Sequence, residues 1–161
     1  MHRSVRFPVL LASLWFACLV PALADGSLDG RVFTGLIGPA ENPDLADSLY
    51  FSDGHFWSDI CTRCGFVPGL YSAHEVDGGI RFTGVLESDS RGRFEYDGFV
   101  DEAGQIEVVI RWERKRWYWT SRRDIAFRGA DASTGSPATL TQILLKMDGM
   151  NPEENALCAR F

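Results

Sequence analysis

Beyond its first two dozen positions the chain has no apolar run of the ~18 residues that a membrane-spanning helix needs. No later segment is therefore expected to cross a bilayer as a helix. Gly-x-Ser-x-Gly is absent, which removes the usual strand-to-helix serine nucleophile. The glycine pair of Asp77-Gly-Gly79 has no helical pattern behind it, so it reads as a turn and not as a phosphate loop. Positive charge is short as well: 16 Lys and Arg stand against 22 Asp and Glu, a formal charge of −6. An acidic chain is a poor candidate for nucleic acid or for anionic lipid surfaces. No motif implies a cofactor, and none fixes a reaction.

What the chain does have begins at its start. Met-His-Arg-Ser-Val-Arg is followed by an apolar run, Phe7 to Val20, and by Pro21-Ala-Leu-Ala24. A basic start, a short apolar middle and small residues at Ala22 and Ala24 are the three parts of a secretory signal. Residues 1–24 are therefore expected to be removed, leaving an exported chain, periplasmic or secreted, with no membrane span. Cleavage takes away Arg3 and Arg6 and no acid, leaving 14 basic against 22 acidic residues, a formal charge of −8. The remaining length suits one domain with a real core. It divides into a β domain over 25–135 and a C-terminal helix and tail over 136–161.

Cys18 leaves with the signal, so Cys61, Cys64 and Cys158 remain. Exported proteins meet an oxidising compartment, and a disulfide is expected. Three thiols cannot all pair within one chain. The bond falls within Cys61 and Cys64 or runs from one of them to Cys158.

The fold class is mainly β. Short apolar runs alternate with turn signals at nearly regular spacing. Leu28 to Ile37 reads as the first strand, followed by a loop marked by Pro39 and Pro43. Leu49 to Phe51 and His55 to Trp57 flank Ser52-Asp-Gly54, and Asp-Gly favours a type I′ turn. The span from Asp59 to Gly69 reads as irregular. Tyr71 to Val76 meets Ile80 to Leu86 across Asp77-Gly-Gly79. Asp89-Ser-Arg-Gly92 and Asp101-Glu-Ala-Gly104 are the next two turns. Arg114-Lys-Arg116 reads as another, and Arg122-Arg123 as a tight reversal before Ile125 to Phe127. About nine strands result, joined as a meander that closes into a small barrel. Alternation supports one wet face: Ile106, Val108, Ile110 and Trp112 share a side, while Glu107, Arg111 and Glu113 take the other. Near the end, Ser136 and Pro137 read as N-cap and first helical residue. Leu140, Ile143, Leu144 and Met147 form an apolar stripe on a helix running to about Asp148, packed on the barrel exterior.

A meander of short strands with one outer helix resembles the lipocalin-type, or calycin, barrels. The run Leu49-Tyr-Phe-Ser-Asp-Gly, then Cys64-Gly, then Gly69-Leu-Tyr, is similar to small exported META-type barrel domains. Arg116-Trp-Tyr-Trp-Thr120 is similar to a run in a small, uncharacterised exported bacterial family, which implies no activity. The resemblance implies a lipocalin-like barrel whose tail cysteine, Cys158, staples the chain end to Cys61 or Cys64. Where lipocalins carry Gly-x-Trp this chain has Gly30-Arg31-Val32, so no ligand residues are carried over.

Three constellations hold candidate chemistry. Cys61-Thr-Arg-Cys64 is a CxxC, and Arg63 would help depress a thiol pKa. The strand–helix context of a redox dithiol is missing, so a structural disulfide is the simpler reading. His55, Cys61, Cys64 and His74 have the residue types of a tetrahedral zinc site. Both histidines would normally follow the cysteines, so this set stands as an alternative and no metal is expected. Arg111 to Arg123 mixes bases with aromatics. Stacking and phosphate contact would suit single-stranded nucleic acid, but the acidic total and the export signal argue against it. The simpler reading is a hairpin with a solvated basic tip and an aromatic core. The functional variant has Trp57, Trp112, Trp117 and Trp119 lining a cavity, with Arg111 at its mouth.

The expectation is an exported non-enzymatic protein that binds a small apolar or amphipathic molecule or serves as an envelope accessory. Alternatives are a thiol–disulfide protein using Cys61 and Cys64, or a purely structural interaction domain. A large cavity lined by Trp and Phe favours binding; a filled interior favours interaction.

Overall fold

The computed structural model describes residues 27–134, 138–152 and 158. The expected signal segment, and Ser136 and Pro137, lie outside the described residues. The described chain runs β1 (Val32–Pro39), β2 (Leu45–Ser52), β3 (His55–Ser58), α1 (Asp59–Arg63), β4 (Gly69–Val76), β5 (Gly79–Ser88), β6 (Gly92–Asp101), β7 (Gln105–Arg116), β8 (Trp119–Asp131) and α2 (Leu140–Asp148). Each strand pairs antiparallel with the next, and β8 returns to β1 from Phe33↔Asp131 to Pro39↔Ile125. The result is a closed eight-stranded meander barrel, a closure that removes the edge strands an open sheet would have.

Turn chemistry sets the registers. Asp53 and Gly54 both adopt positive φ, 54° and 71°, and Ser52 pairs with His55 across them. This is the type I′ hairpin that Asp-Gly predicts. Three-residue loops after β5 and β6 close on Gly92 and Gly104, both also at positive φ.

Alternation places one side chain in two inside the barrel. Ile106, Val108, Ile110 and Trp112 of β7 are buried, and Glu107, Val109 and Arg111 are exposed. The interior is packed with rings. Phe51 meets Phe82 at 5.2 Å and Tyr71 at 5.0 Å, and Phe56 meets Tyr96 at 5.0 Å, all edge to face. That geometry suits the ring quadrupole and adds to the ~1.5–3 kcal/mol each buried large apolar side chain contributes. Packing is so close that two inward positions are glycine. A Cβ built on Gly84 would overlap the Phe56 ring, and one on Gly98 the Phe82 ring.

Both ends are closed. At one, Leu28 is fully buried, and Asp29 accepts hydrogen bonds from the Gly54 amide (3.1 Å) and the Tyr71 hydroxyl (2.9 Å). At the other, Phe66 packs on Phe94 at 4.6 Å, and the Trp112 indole donates to the Arg91 carbonyl at 2.9 Å. A Cys64–Cys158 disulfide, with Cα atoms 5.3 Å apart, ties the chain end to this second end.

Several boundaries differ from the sequence reading. The first strand begins at Val32 rather than Leu28, because residues 27–30 turn, with Gly30 at φ 83°, and Leu28 tucks into the barrel mouth. The span from Asp59 contains α1, whose N-cap Ser58 accepts from the Cys61 amide. There is no reversal at Arg122-Arg123. Residues 119–131 form one strand, so nine expected strands become eight among the described residues. Arg-Arg carries no turn chemistry, while the β7 ladder supplies a continuous partner. Helix α2 begins at Leu140, later than expected. Thr139 and Gln142 form its capping box. Its stripe is narrower than expected: Ile143 is buried, whereas Leu144 is 47% exposed.

Candidate functional site

Among the described residues, Trp57, Trp112, Trp117 and Trp119 do not line a common cavity. Trp112 points inward, but its indole is committed to Arg91, and the Arg123 guanidinium lies 5.5 Å from its ring centroid. Trp57 is buried and stacks on Tyr50 at 5.5 Å, sharing β3 with the inward Phe56 but taking the opposite parity. Trp117 and Trp119 lie far out on the β7–β8 hairpin. Arg111 is on the outer face of β7, in a shallow depression of about 380 Å³ shared with Leu70, Glu95, Asp97 and Val109. These five residues do not converge. Interior volume that a ligand would need is taken by phenylalanine rings.

The cysteine corner is built on α1. Cys64 bonds to Cys158, so the CxxC pair is split. Cys61 is fully buried; its thiol contacts the Tyr96 hydroxyl at 3.4 Å. Burial first, then the Asp47 carboxylate, pushes that thiol up to about 12. Arg63 pairs with Asp59 on the helix surface. Beneath α1, Asp47 accepts from the Ser58 hydroxyl (2.6 Å) and the Ile60 amide (3.0 Å), while burial raises its own pKa. Asp47 and Ser58 thus hold the helix start. A thiol protonated at neutral pH is a weak nucleophile and a weak metal ligand.

The His55, Cys61, Cys64 and His74 set is dispersed. His55 uses Nδ1 on the Asp53 carbonyl at 2.8 Å and pairs in register with Leu70. His74 stands four residues further along β4, about 13 Å away by strand rise, and is exposed. Among the described residues, no group of three or more His, Cys, Asp or Glu could hold a metal ion.

The feature left is the β7–β8 ribbon. Pairing of β6 with β7 ends at Arg93↔Glu113, and pairing of β1 with β8 ends at Pro39↔Ile125. The β7–β8 ladder continues without either neighbour to Arg116↔Trp119. A two-stranded ribbon therefore outruns the barrel, at the end that carries α1 and the disulfide. Trp117 and Tyr118 make its turn, not the Arg114-Lys-Arg116 turn read from sequence. Trp117 is 94% exposed, Tyr118 61% and Trp119 55%. Tyr118 stacks on Trp119 at 5.9 Å, with ring planes 2° apart. Behind them, Glu113 binds Lys115 (3.2 Å) and Arg122 (2.8 Å), which in that order hold its carboxyl below the usual range. Arg114 and Arg116 make no ion pair among the described residues.

Sequence reasoning marked this run for its composition but placed its turn wrongly and sent its indoles inward. The available signal was length: the apolar alternation of β7 stops at Trp112, while the chain stays extended for four more residues. Among the described residues no helix is long and apolar enough to cross a membrane. Comparison with protein-family models, with curated proteins and with solved structures finds no match to this chain.

Proposed function

We propose that this is an exported, non-enzymatic envelope accessory domain that docks onto its target through the β7–β8 ribbon tip. The observation that carries the reading is the tip itself: three neighbouring aromatics held in solvent at the end of a ribbon that outruns its barrel. Folding offers no reason to expose so much aromatic surface, and such patches on monomers mark interaction sites. Trp, Tyr and Arg are also the residues that dominate binding hot spots. The closed barrel is the scaffold that holds the ribbon rigid. Export rests on the N-terminal Arg3-to-Ala24 pattern.

A redox function would need an accessible, acidic thiol at Cys61 or Cys64; burial of one and the disulfide of the other support neither. A small-molecule reading finds its support in the outer depression beside Arg111. Two measurements separate the readings. Native mass spectrometry of protein recovered from its host compartment is expected to give the bare oxidised chain. A retained small molecule would overturn the docking reading in favour of ligand carriage. In fractionation, the protein is expected to sediment with the envelope, and Trp117→Ser with Trp119→Ser to release it. Envelope association unchanged by that double substitution would remove the ribbon from the function.

A further inference from the structure

We infer that the ribbon tip docks on the anionic phospholipid surface of a bilayer, inserting Trp117, Tyr118 and Trp119 at headgroup depth without spanning it. This rests on the docking reading and names its partner. Charge is the first ground. Between residues 111 and 124 six basic residues face two acidic ones, a local charge of +4 in a chain whose total is −6. The molecule is polarised, and its net charge hides this. An anionic plane attracts the ribbon end and repels the acidic body, which orients the approach.

Length is the second ground. From Glu113, the last β7 residue paired with β6, to Arg116 the ribbon advances about 10 Å by strand rise. That matches the distance over which ~0.1 M salt screens charge. With the tip at the surface, the repelled body stands about one screening length away.

Order along the ribbon is the third. The aromatics are at the apex, Arg114, Lys115 and Arg116 follow behind, and Arg122 and Arg123 lie further back on β8, opposite Glu113 and Trp112. Trp and Tyr settle at the membrane–water interface, and cations near the surface meet lipid phosphates. A stable protein–protein interface needs ~800 Å² from each partner. A convex tip two residues wide offers little of that, whereas a headgroup layer needs no complementary pocket.

The test uses the full oxidised protein with vesicles of phosphatidylethanolamine and phosphatidylglycerol, and with vesicles of phosphatidylcholine alone. Binding is read by co-sedimentation and by quenching of tryptophan emission with brominated lipid. Binding is expected on the anionic vesicles only, and is expected to weaken steeply with salt. Arg114→Glu with Arg116→Glu is expected to lose at least about tenfold in affinity, since each surface cation is worth about fivefold. Trp117→Ser with Trp119→Ser is expected to abolish quenching. Arg81→Glu, on the barrel wall, is the control and is expected to bind as wild type. Unfolding midpoints of all variants are expected to match wild type, because the tip lies outside the core. Equal binding to neutral vesicles, or anionic binding that ignores the tip substitutions, overturns the inference. Absence of vesicle binding beside tip-dependent sedimentation with the envelope overturns the lipid partner alone and leaves docking on an envelope protein. Sedimentation that ignores the tip overturns both readings.

Discussion

The Phe82 ring occupies the space that a side chain at Gly98 would need. The two residues pair across β5 and β6, in register and on the inner face. The Phe56 ring of β3 likewise fills the space beside Gly84 of β5, across the intervening β4. In a barrel built to hold a ligand, an added methyl inside would displace solvent or ligand. Here it meets a ring already locked among other rings. Gly98→Ala is expected to destabilise by ~1–3 kcal/mol through overpacking. Phe82→Ala is expected to cost ~3–5 kcal/mol through the cavity it leaves. Urea unfolding midpoints check both; a neutral Gly98→Ala would show that the interior has room to spare.

Cys64 and Cys158 stand 94 positions apart, and their bond closes most of the barrel into one loop. Chain-entropy reasoning assigns such a bond ~4–5 kcal/mol. Cys158→Ser is expected to lower the melting temperature accordingly. Non-reducing peptide mapping is expected to recover the 64–158 pair and a free Cys61. A Cys61–Cys64 peptide pair, with a free Cys158 thiol, is the result that contradicts this arrangement.

Cys61 makes stability pH-dependent on the alkaline side. Burial, then Asp47, raises its thiol from 9.0 to about 12. The folded state holds this proton more tightly than the unfolded chain does. Its contribution is complete below pH 9 and is lost as pH rises toward 12, at ~1.4 kcal/mol per pH unit. Cys61→Ala is expected to flatten the slope of stability against pH by that amount between about pH 9 and 11. The raised phenol of Tyr71 owes nothing to Cys61 and cancels in the comparison, whereas that of Tyr96 is raised by burial first and then by Cys61 itself, so its share of the slope shrinks in the variant as well. Equal slopes would place the thiol in contact with solvent.

Helix α2 presents one buried residue to the body of the protein. Ile143→Ala is expected to cost about 2 kcal/mol, the low end for a buried aliphatic truncation. Leu144→Ala, on the half-exposed flank, is expected to stay within about 0.5 kcal/mol. Thermal denaturation of the two variants measures the difference directly.

The barrel was legible because its signals are local. Asp53-Gly54 specifies a hairpin through φ alone, and the alternation of β7 specifies which side is wet, whatever the rest of the chain does. Antiparallel neighbours joined by such turns leave closure as the economical end, and β8 returning to β1 is that end. The helix was legible in type, yet its start moved to Thr139 because capping is settled by which hydroxyl meets a backbone amide, and several serines and threonines compete there.

The sequence by itself determined the glycine-marked turns, the strand alternation, the inventory of three cysteines after residue 24 and the clustering of base with aromatic between 111 and 124. Tertiary structure alone decided the rest. Which cysteine meets Cys158 depends on the direction α1 gives its side chains: Cys61 turns toward Tyr96, and Cys64 reaches the tail. Whether the interior is a cavity or a core depends on summed ring volume across strands distant in sequence, which no local pattern counts. Whether Trp119 is buried depends on how far β6 and β1 extend beside β7 and β8. They stop short, so the face that hides Trp112 leaves Trp119, opposite Arg116, in water, and Trp117 stands in the turn beyond it. Local sequence sets a strand's faces, but only its neighbours decide whether either face is covered.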